Sequence, residues 1–308
     1  MAYHFRRKDA SVQESLRHVA ISQIDAALEE TDDPTMEVHE KVHQVRKRCK
    51  KVRGLIRLVR PEFDDYKHEN KVFRDAARTL SVVRDAETLV ETYDALMDAY
   101  ADRVERVRFA NVRRQLTLRK KEAATDSSLN DKLVNFRESM SEARKRAKKW
   151  PLDADGFEAV AGGLAKTYER ARKAMLKAED KPAEQNVHEW RKRSKYHWYH
   201  ARLLREIWPE LIGPHRDETH RLSDLLGEHH DLAVLRSTVA AEPEAFGEAG
   251  MVRTLTQLAE QRQAELAADG FTLGHRIFAE SPKALCKRWE AYWREWQTER
   301  RLPGFVIV

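Results

Sequence analysis

Apolar side chains recur every three or four positions along almost the whole chain, and the recurrence stops at prolines and short polar clusters. That spacing predicts helices over 11–30, 35–60, 63–86, 87–123, 129–149, 155–179, 184–207, 215–240, 248–268 and 282–300. The stops fall at Asp32-Asp33-Pro34, Pro61, Asp126-Ser127-Ser128, Trp150-Pro151, Lys181-Pro182, Pro209, Gly213-Pro214 and Pro243. No alternation of apolar and polar residues is long enough for a strand, so the fold class is all-α. An apolar tail, Leu302–Val308, follows the last helix.

The pattern also repeats. Shifted by 145 positions, Val42, His43, Arg46, Lys47, Arg48, Lys50, Arg57, Leu58 and Arg60 fall on Val187, His188, Arg191, Lys192, Arg193, Lys195, Arg202, Leu203 and Arg205. That is nine identities in nineteen positions. A shift of 146 then brings Leu80, Asp85 and Leu89 onto Leu226, Asp231 and Leu235, with Arg84 meeting His230. Two blocks in the same order at nearly the same offset predict two pseudo-symmetric helical bundles related by an internal repeat. The expected halves are 6–150 and 155–300 of one domain over 6–300, with 301–308 as a C-terminal tail.

On a helical wheel Arg46, Lys47, Lys50 and Arg57 fall within about 60° of His43, and Val45, Val52, Leu55, Ile56 and Val59 fall opposite. His188, Arg191, Lys192, Lys195 and Arg202 repeat the stripe. From His43 to Arg57 such a helix rises about 21 Å. A basic face opposite an apolar one is ordinarily a solvated surface, but solvated faces mix signs. Here like charges stack at i, i+4, at a cost of a few tenths of a kcal/mol each. The same costly pattern stands in both halves, which points to an anionic ligand that neutralises it.

Charged residues are 35% of the 308, with 57 Lys and Arg against 51 Asp and Glu, a net +6. So small an excess matters only through its clustering. Cys49 and Cys286 show neither a CxxC spacing nor a disulfide framework and suit a reducing compartment. Arg6, Arg7 and Lys8 are not followed by the apolar stretch of a signal peptide. No apolar run approaches the roughly 20 residues of a membrane span. A cytoplasmic protein without membrane contact is expected.

His39-Glu40-Lys41-Val42-His43 reads H-E-x-x-H, the spacing of zinc metalloproteases. The repeat argues against a metal there: His39 and Glu40 fall on Glu184 and Gln185, and a dication would stand among Arg46, Lys47 and Lys50. Neither a Gly-rich phosphate loop nor a nucleophile elbow is present. Asp85 and Asp231 read as acceptors orienting nearby Arg or Lys. No catalytic residue, metal or cofactor is assigned.

"VHQVRKRCKKVRGLIRLV" and "VHEWRKRSKYHWYHARLL" resemble the paired signature helices of CHAD domains, the conserved histidine α-helical domains. "GGLAKTYERARKAM" resembles the entry to the second half of that family, and "LLGEHHDLAVL" its L-G-x-x-R-D-L-x-V-L segment, with His230 in place of Arg. "LSVVRDAETL" keeps Arg-Asp but has Ser81 in place of Gly. The resemblance spans about residues 6–300 and implies binding of inorganic polyphosphate on a basic surface lined by the signature helices. An attached CYTH domain would bring an E-x-E-x-K strand, which is absent, so the resemblance is to a stand-alone CHAD protein.

Wheel and resemblance name the same polyphosphate-binding set: His43, Arg46, Lys47, Lys50, Arg57, His188, Arg191, Lys192, Lys195 and Arg202. Additional candidates are Arg17, Arg53, Arg84, Tyr168, Arg172 and His230, and Arg113, Arg114, Arg119, Lys120 and Lys121 form a further basic run. A polyphosphate-binding module, associated with polyphosphate granules, is thus the first expectation. The alternatives are a nucleic-acid binder using the same surface, with Tyr199 able to stack on a base, and an enzyme of polyphosphate metabolism. The latter lacks an acidic cluster for Mg²⁺.

Overall fold

The computed structural model describes residues 3–299; the expected tail 301–308 lies outside them. The helices are α1 (Val12–Asp32), α2 (Val38–Leu58), α3 (Tyr66–Thr79), α4 (Ser81–Ala99), α5 (Ala110–Ala124), α6 (Leu129–Ala147), α7 (Glu158–Asp180), α8 (Glu184–Leu203), α9 (Pro209–Ala241), α10 (Pro243–Phe246), α11 (Ala249–Ile277) and α12 (Pro282–Glu299). There is no strand among the described residues. Local chemistry explains several starts. Ser11 caps α1 by accepting from Glu14 N–H, and the Glu14 carboxylate accepts from Ala10 N–H just before the cap. Pro209, Pro243 and Pro282 open α9, α10 and α12, where the missing N–H costs nothing.

Three boundaries differ from expectation. Helix α9 runs through Gly213-Pro214, because Pro214 sits in its second turn and forfeits one backbone bond at an exposed site. Helix α11 continues past 268 over Gly270 and Gly274; these glycines make room for Trp190, whose ring atom would stand 2.6 Å from a Cβ on Gly274. The region expected as 63–86 and 87–123 instead breaks at Leu80 and again between Tyr100 and the 3-10 turn at Arg106–Phe109.

Two buried cores result, and each draws on both halves of the sequence. The larger joins α1, α2, α3, α6, α7, α8 and α12 with the start of α4, the first part of α9 and the end of α11. The smaller joins the later part of α4, α5 and α10 with the end of α9 and the start of α11. Each core therefore contains helices from both expected halves, 6–150 and 155–300. Helices α4 and α9 pass from one core toward the other, and the space between them is open.

Helices α2, α7 and α8 approach closely at glycines. A Cβ on Gly54 would lie 2.9 Å from Tyr199 Cβ, and one on Gly163 would lie 1.7 Å from Leu58 O. Gly163→Ala must push two backbones apart and is expected to cost about 3 kcal/mol or more. Gly213→Ala meets nothing within 4 Å and should be neutral or stabilising by up to about 1 kcal/mol. Thermal melts of the two variants check the contrast.

The larger core also encloses histidines. His197 Nε2 and His215 Nε2 are 2.8 Å apart, so one donates to the other, and His200 Nε2 donates to Gly54 O at 3.2 Å. His197 and His200 are fully buried, and the Nδ1 atom of each has no partner. Burial depresses all three, His215 to about 4 and the other two well below their ordinary value.

Candidate functional site: a cationic cleft

The open space between the cores is a cleft of about 740 Å³ lined by α2, α4, α8 and α9. Helix α2 contributes His43, Arg46, Lys47, Lys50 and Lys51, and α8 contributes Arg191 and Lys195. From the walls come Arg84 on α4 and His220 and His230 on α9. Seven Lys and Arg face five carboxylates: Asp85, Glu91, Asp224, Glu228 and Asp231.

The carboxylates stand beside particular cations. Arg46 Nη2 lies 3.8 Å from Asp85 Oδ1, and Arg191 Nη2 lies 3.9 Å from Asp231 Oδ1. These two pairs occupy matching positions in the sequence repeat. Arg84 is held by Glu87 and Glu91, both at 2.8 Å, and Lys195 Nζ is 4.0 Å from Asp224. Lys50 has no carboxylate within ion-pair distance among the described residues. It is solvent-accessible yet stands at the floor of a concavity walled by protein. Burial, then Arg46, Arg191 and Lys195, push it down to about 8. Cations of α2 and α8 thus converge on one space.

The histidines are uncharged at neutral pH. Burial, then Arg84 and Lys47, depress His43. His188 and His230 lie with Nδ1 atoms 3.1 Å apart, and burial with His188 pushes His230 down to about 3. Asp231 is raised by burial against the opposing pull of Arg191. His188 and Lys192 open on an adjoining depression of about 610 Å³ that shares His230 with the cleft.

Several residues expected in the site are elsewhere. Arg57 is buried on the far side of the α2–α8 crossing, its guanidinium 3.8 Å from the Tyr196 ring centre. Arg202 lies over Tyr3 and Trp198, outside the cleft. Arg17 donates to Trp150 O, Arg172 to Phe278 O, and the buried Tyr168 to Ile277 O, so all three tie the core together. Arg53 is bound to Asn70. Tyr199 cannot stack on a base, since it is 3% exposed and packs on Gly54. In the further basic run, Arg113, Arg119 and Lys120 pair with Asp94, Glu242 and Glu87. Among the described residues one group of side chains is close enough to share a metal, Asp9, Glu14 and His18, and it does not include His39 or His43.

The model of the CHAD domain family matches residues 18–240. The chain belongs to the CHAD family. Among solved structures, PptA from Streptomyces chartreusis is similar at 14% identity, with a TM-score of 0.60 over 85% of this chain and 96% of that one. A CHAD domain from the plant Ricinus communis is similar at 14% identity, with a TM-score of 0.56 over 91% of this chain and 96% of that one. At such identities the likeness speaks for the fold. No curated protein matches. Sequence reasoning missed Lys51 and His220 as residues of the CHAD cleft. Lys51 lies outside the stripe on the wheel, and nothing in the linear order places His220 beside Lys195.

Proposed function

We propose that this protein binds inorganic polyphosphate in the cleft between α2, α4, α8 and α9, as a binding module without catalytic activity. The observation that supports it best is the convergence of Arg46, Lys47 and Lys50 of α2 with Arg191 and Lys195 of α8 on one cleft, where Lys50 has no carboxylate within ion-pair distance among the described residues. A polyanion laid along the cleft would relieve that repulsion, with Arg engaging phosphate oxygens two donors at a time and Lys as a point charge. Asp85 and Asp231 serve the site by holding Arg46 and Arg191 in place. Cytoplasmic location and association with polyphosphate granules are part of the same proposal. No helix among the described residues is long and apolar enough to cross a membrane.

Nucleic acid is the competing polyanion. The aromatic side chains beside the cleft, Trp198 and Tyr199, are buried at 9% and 3% exposure, which leaves little ring surface for bases. Competition between polyphosphate and single- or double-stranded nucleic acid, at matched charge and near-physiological salt, tests the assignment. Polyphosphate should win clearly; displacement by an equal concentration of nucleic acid rejects it.

Binding should also begin to weaken with rising pH already near 8. Lys50 is charged below about 8 in the free protein, and a bound polyanion raises that value. Above pH 8 binding must first take up a proton, so affinity falls as pH rises from 8 to 10. An ordinary lysine site would hold its affinity to about 10. Lys51, which also lines the cleft, is pushed down by burial to about 8 as well. Titrations at fixed ionic strength over pH 7–10 check the sign and the residues: Lys50→Arg should remove part of the decline, and Lys50→Arg with Lys51→Arg most of it.

A further inference from the structure

The row of cations on α2 continues past the cleft. Arg46, Lys50, Arg53, Arg57 and Arg60 follow one another at i+3 and i+4 along one side of the helix and its end. Helix α8 lies across this row at Gly54, where Tyr199 fills the space a side chain would take. None of Arg53, Arg57 and Arg60 lines the cleft.

These three arginines are held by neutral groups. Arg53 Nε and Arg57 Nη2 each donate to Asn70 Oδ1 at 3.1 Å, and Arg60 Nη2 reaches Thr167 Oγ1 at 3.5 Å. Among the described residues no carboxylate stands within ion-pair distance of any of them. Arg57 is 6% exposed, and the Nε atoms of Arg57 and Arg60 are buried without a hydrogen-bond partner. Several other part-buried arginines keep a carboxylate: Glu30 stands against Arg48, Glu69 against Arg146, and Glu87 with Glu91 against Arg84. Arg17 and Arg172 instead donate to backbone carbonyls, and neither is as buried as Arg57. A buried guanidinium ordinarily keeps a counter-charge. Burial and the nearby Arg170 push Arg60 down to about 10, and burial, with smaller repulsion from Arg53 and Arg193, lowers Arg57.

We propose that Arg53, Arg57 and Arg60, with Asn70, Thr167 and Tyr196, form a second anion site that takes a single phosphoryl group. Tyr196 covers a face of the Arg57 guanidinium, so an oxyanion meets the N–H edge, the geometry of bidentate phosphate pairing. Arg57 is the buried member, and Arg53 and Arg60, half-buried, are the members that solvent reaches and so the mouth of the proposed site. The α8 crossing closes the row on the cleft side, which limits the ligand to one compact group. That group is free orthophosphate or the end of a phosphate chain. The site stands independently of what the cleft binds.

Calorimetric titration with orthophosphate tests it in the wild type, in a cleft variant (Lys50→Glu with Lys195→Glu) and in a mouth variant (Arg53→Gln with Arg60→Gln). Circular dichroism confirms that each is folded. One orthophosphate per chain should bind the wild type and the cleft variant alike, and at least tenfold more weakly in the mouth variant. Linear tripolyphosphate and cyclic trimetaphosphate, which has no chain end, distinguish the sources in the cleft variant. Tripolyphosphate binding at least tenfold tighter than orthophosphate marks a chain-end site; equal or weaker binding marks a site for the free ion. The proposal is overturned if orthophosphate shows no saturable binding, if the folded mouth variant binds it unchanged, or if trimetaphosphate binds the cleft variant as tightly as orthophosphate.

Discussion

Reversing two charges on a signature helix, Lys47→Glu with Lys50→Glu or Arg191→Glu with Lys195→Glu, is expected to weaken polyphosphate binding about 100-fold. Each reversal removes a phosphate contact and adds a repulsive charge in a partly desolvated cleft, and about 2.7 kcal/mol for the pair corresponds to that factor. Changing both pairs should abolish measurable binding, because the two helices face the same space and a chain engages them together. Arg46 is left intact in this design, since its Nη1 donates to Ala77 O and its loss would disturb packing. Arg108→Glu with Arg294→Glu is the control. Both side chains are largely exposed, outside the cleft, and give the same change in net charge. The control should lose less than about threefold. Equal losses from control and cleft reversals would show a diffuse cation with no site. Wild-type affinity should also fall steeply with salt, as counterion release requires.

Acid should unfold the protein through His197, His200 and His215. Their folded values lie below the unfolded one, His215 at about 4. The unfolded chain therefore binds more protons as pH falls through about 6.5, and folding stability falls with it. Stability is complete above 6.5 and drains away toward the folded values. Each histidine contributes a slope of up to about 1.4 kcal/mol per pH unit. Three together approach about 4 kcal/mol per unit, enough to exhaust a typical stability of roughly 5–15 kcal/mol within a few units. Melting temperature should drop sharply between pH 6.5 and 4.5, and loss of helix should follow near the lower end. His215→Gln should flatten the drop in part. A melting temperature unchanged to pH 4.5 would mean that these histidines take up protons without leaving the core.

Helix periodicity was legible because nearly every helix buries one face, and apolar spacing reports that face directly. The stripe residues His43, Arg46, Lys47, Lys50, Arg191 and Lys195 do line one cleft. Arg57 and Arg202 share their angular position on the wheel and do not. Pro214 misled because a proline early in a long helix costs only one bond, and Gly270 and Gly274 misled because their purpose is room for Trp190.

The sequence by itself determined an all-α chain, the CHAD family membership and the residues that make up two basic helix faces. Only the tertiary structure decided which of those cations share a space. A wheel gives the direction of a side chain from its own helix axis, and α8 crosses α2 at Gly54. That crossing leaves Lys50 in the open cleft and buries Arg57 beneath Tyr196.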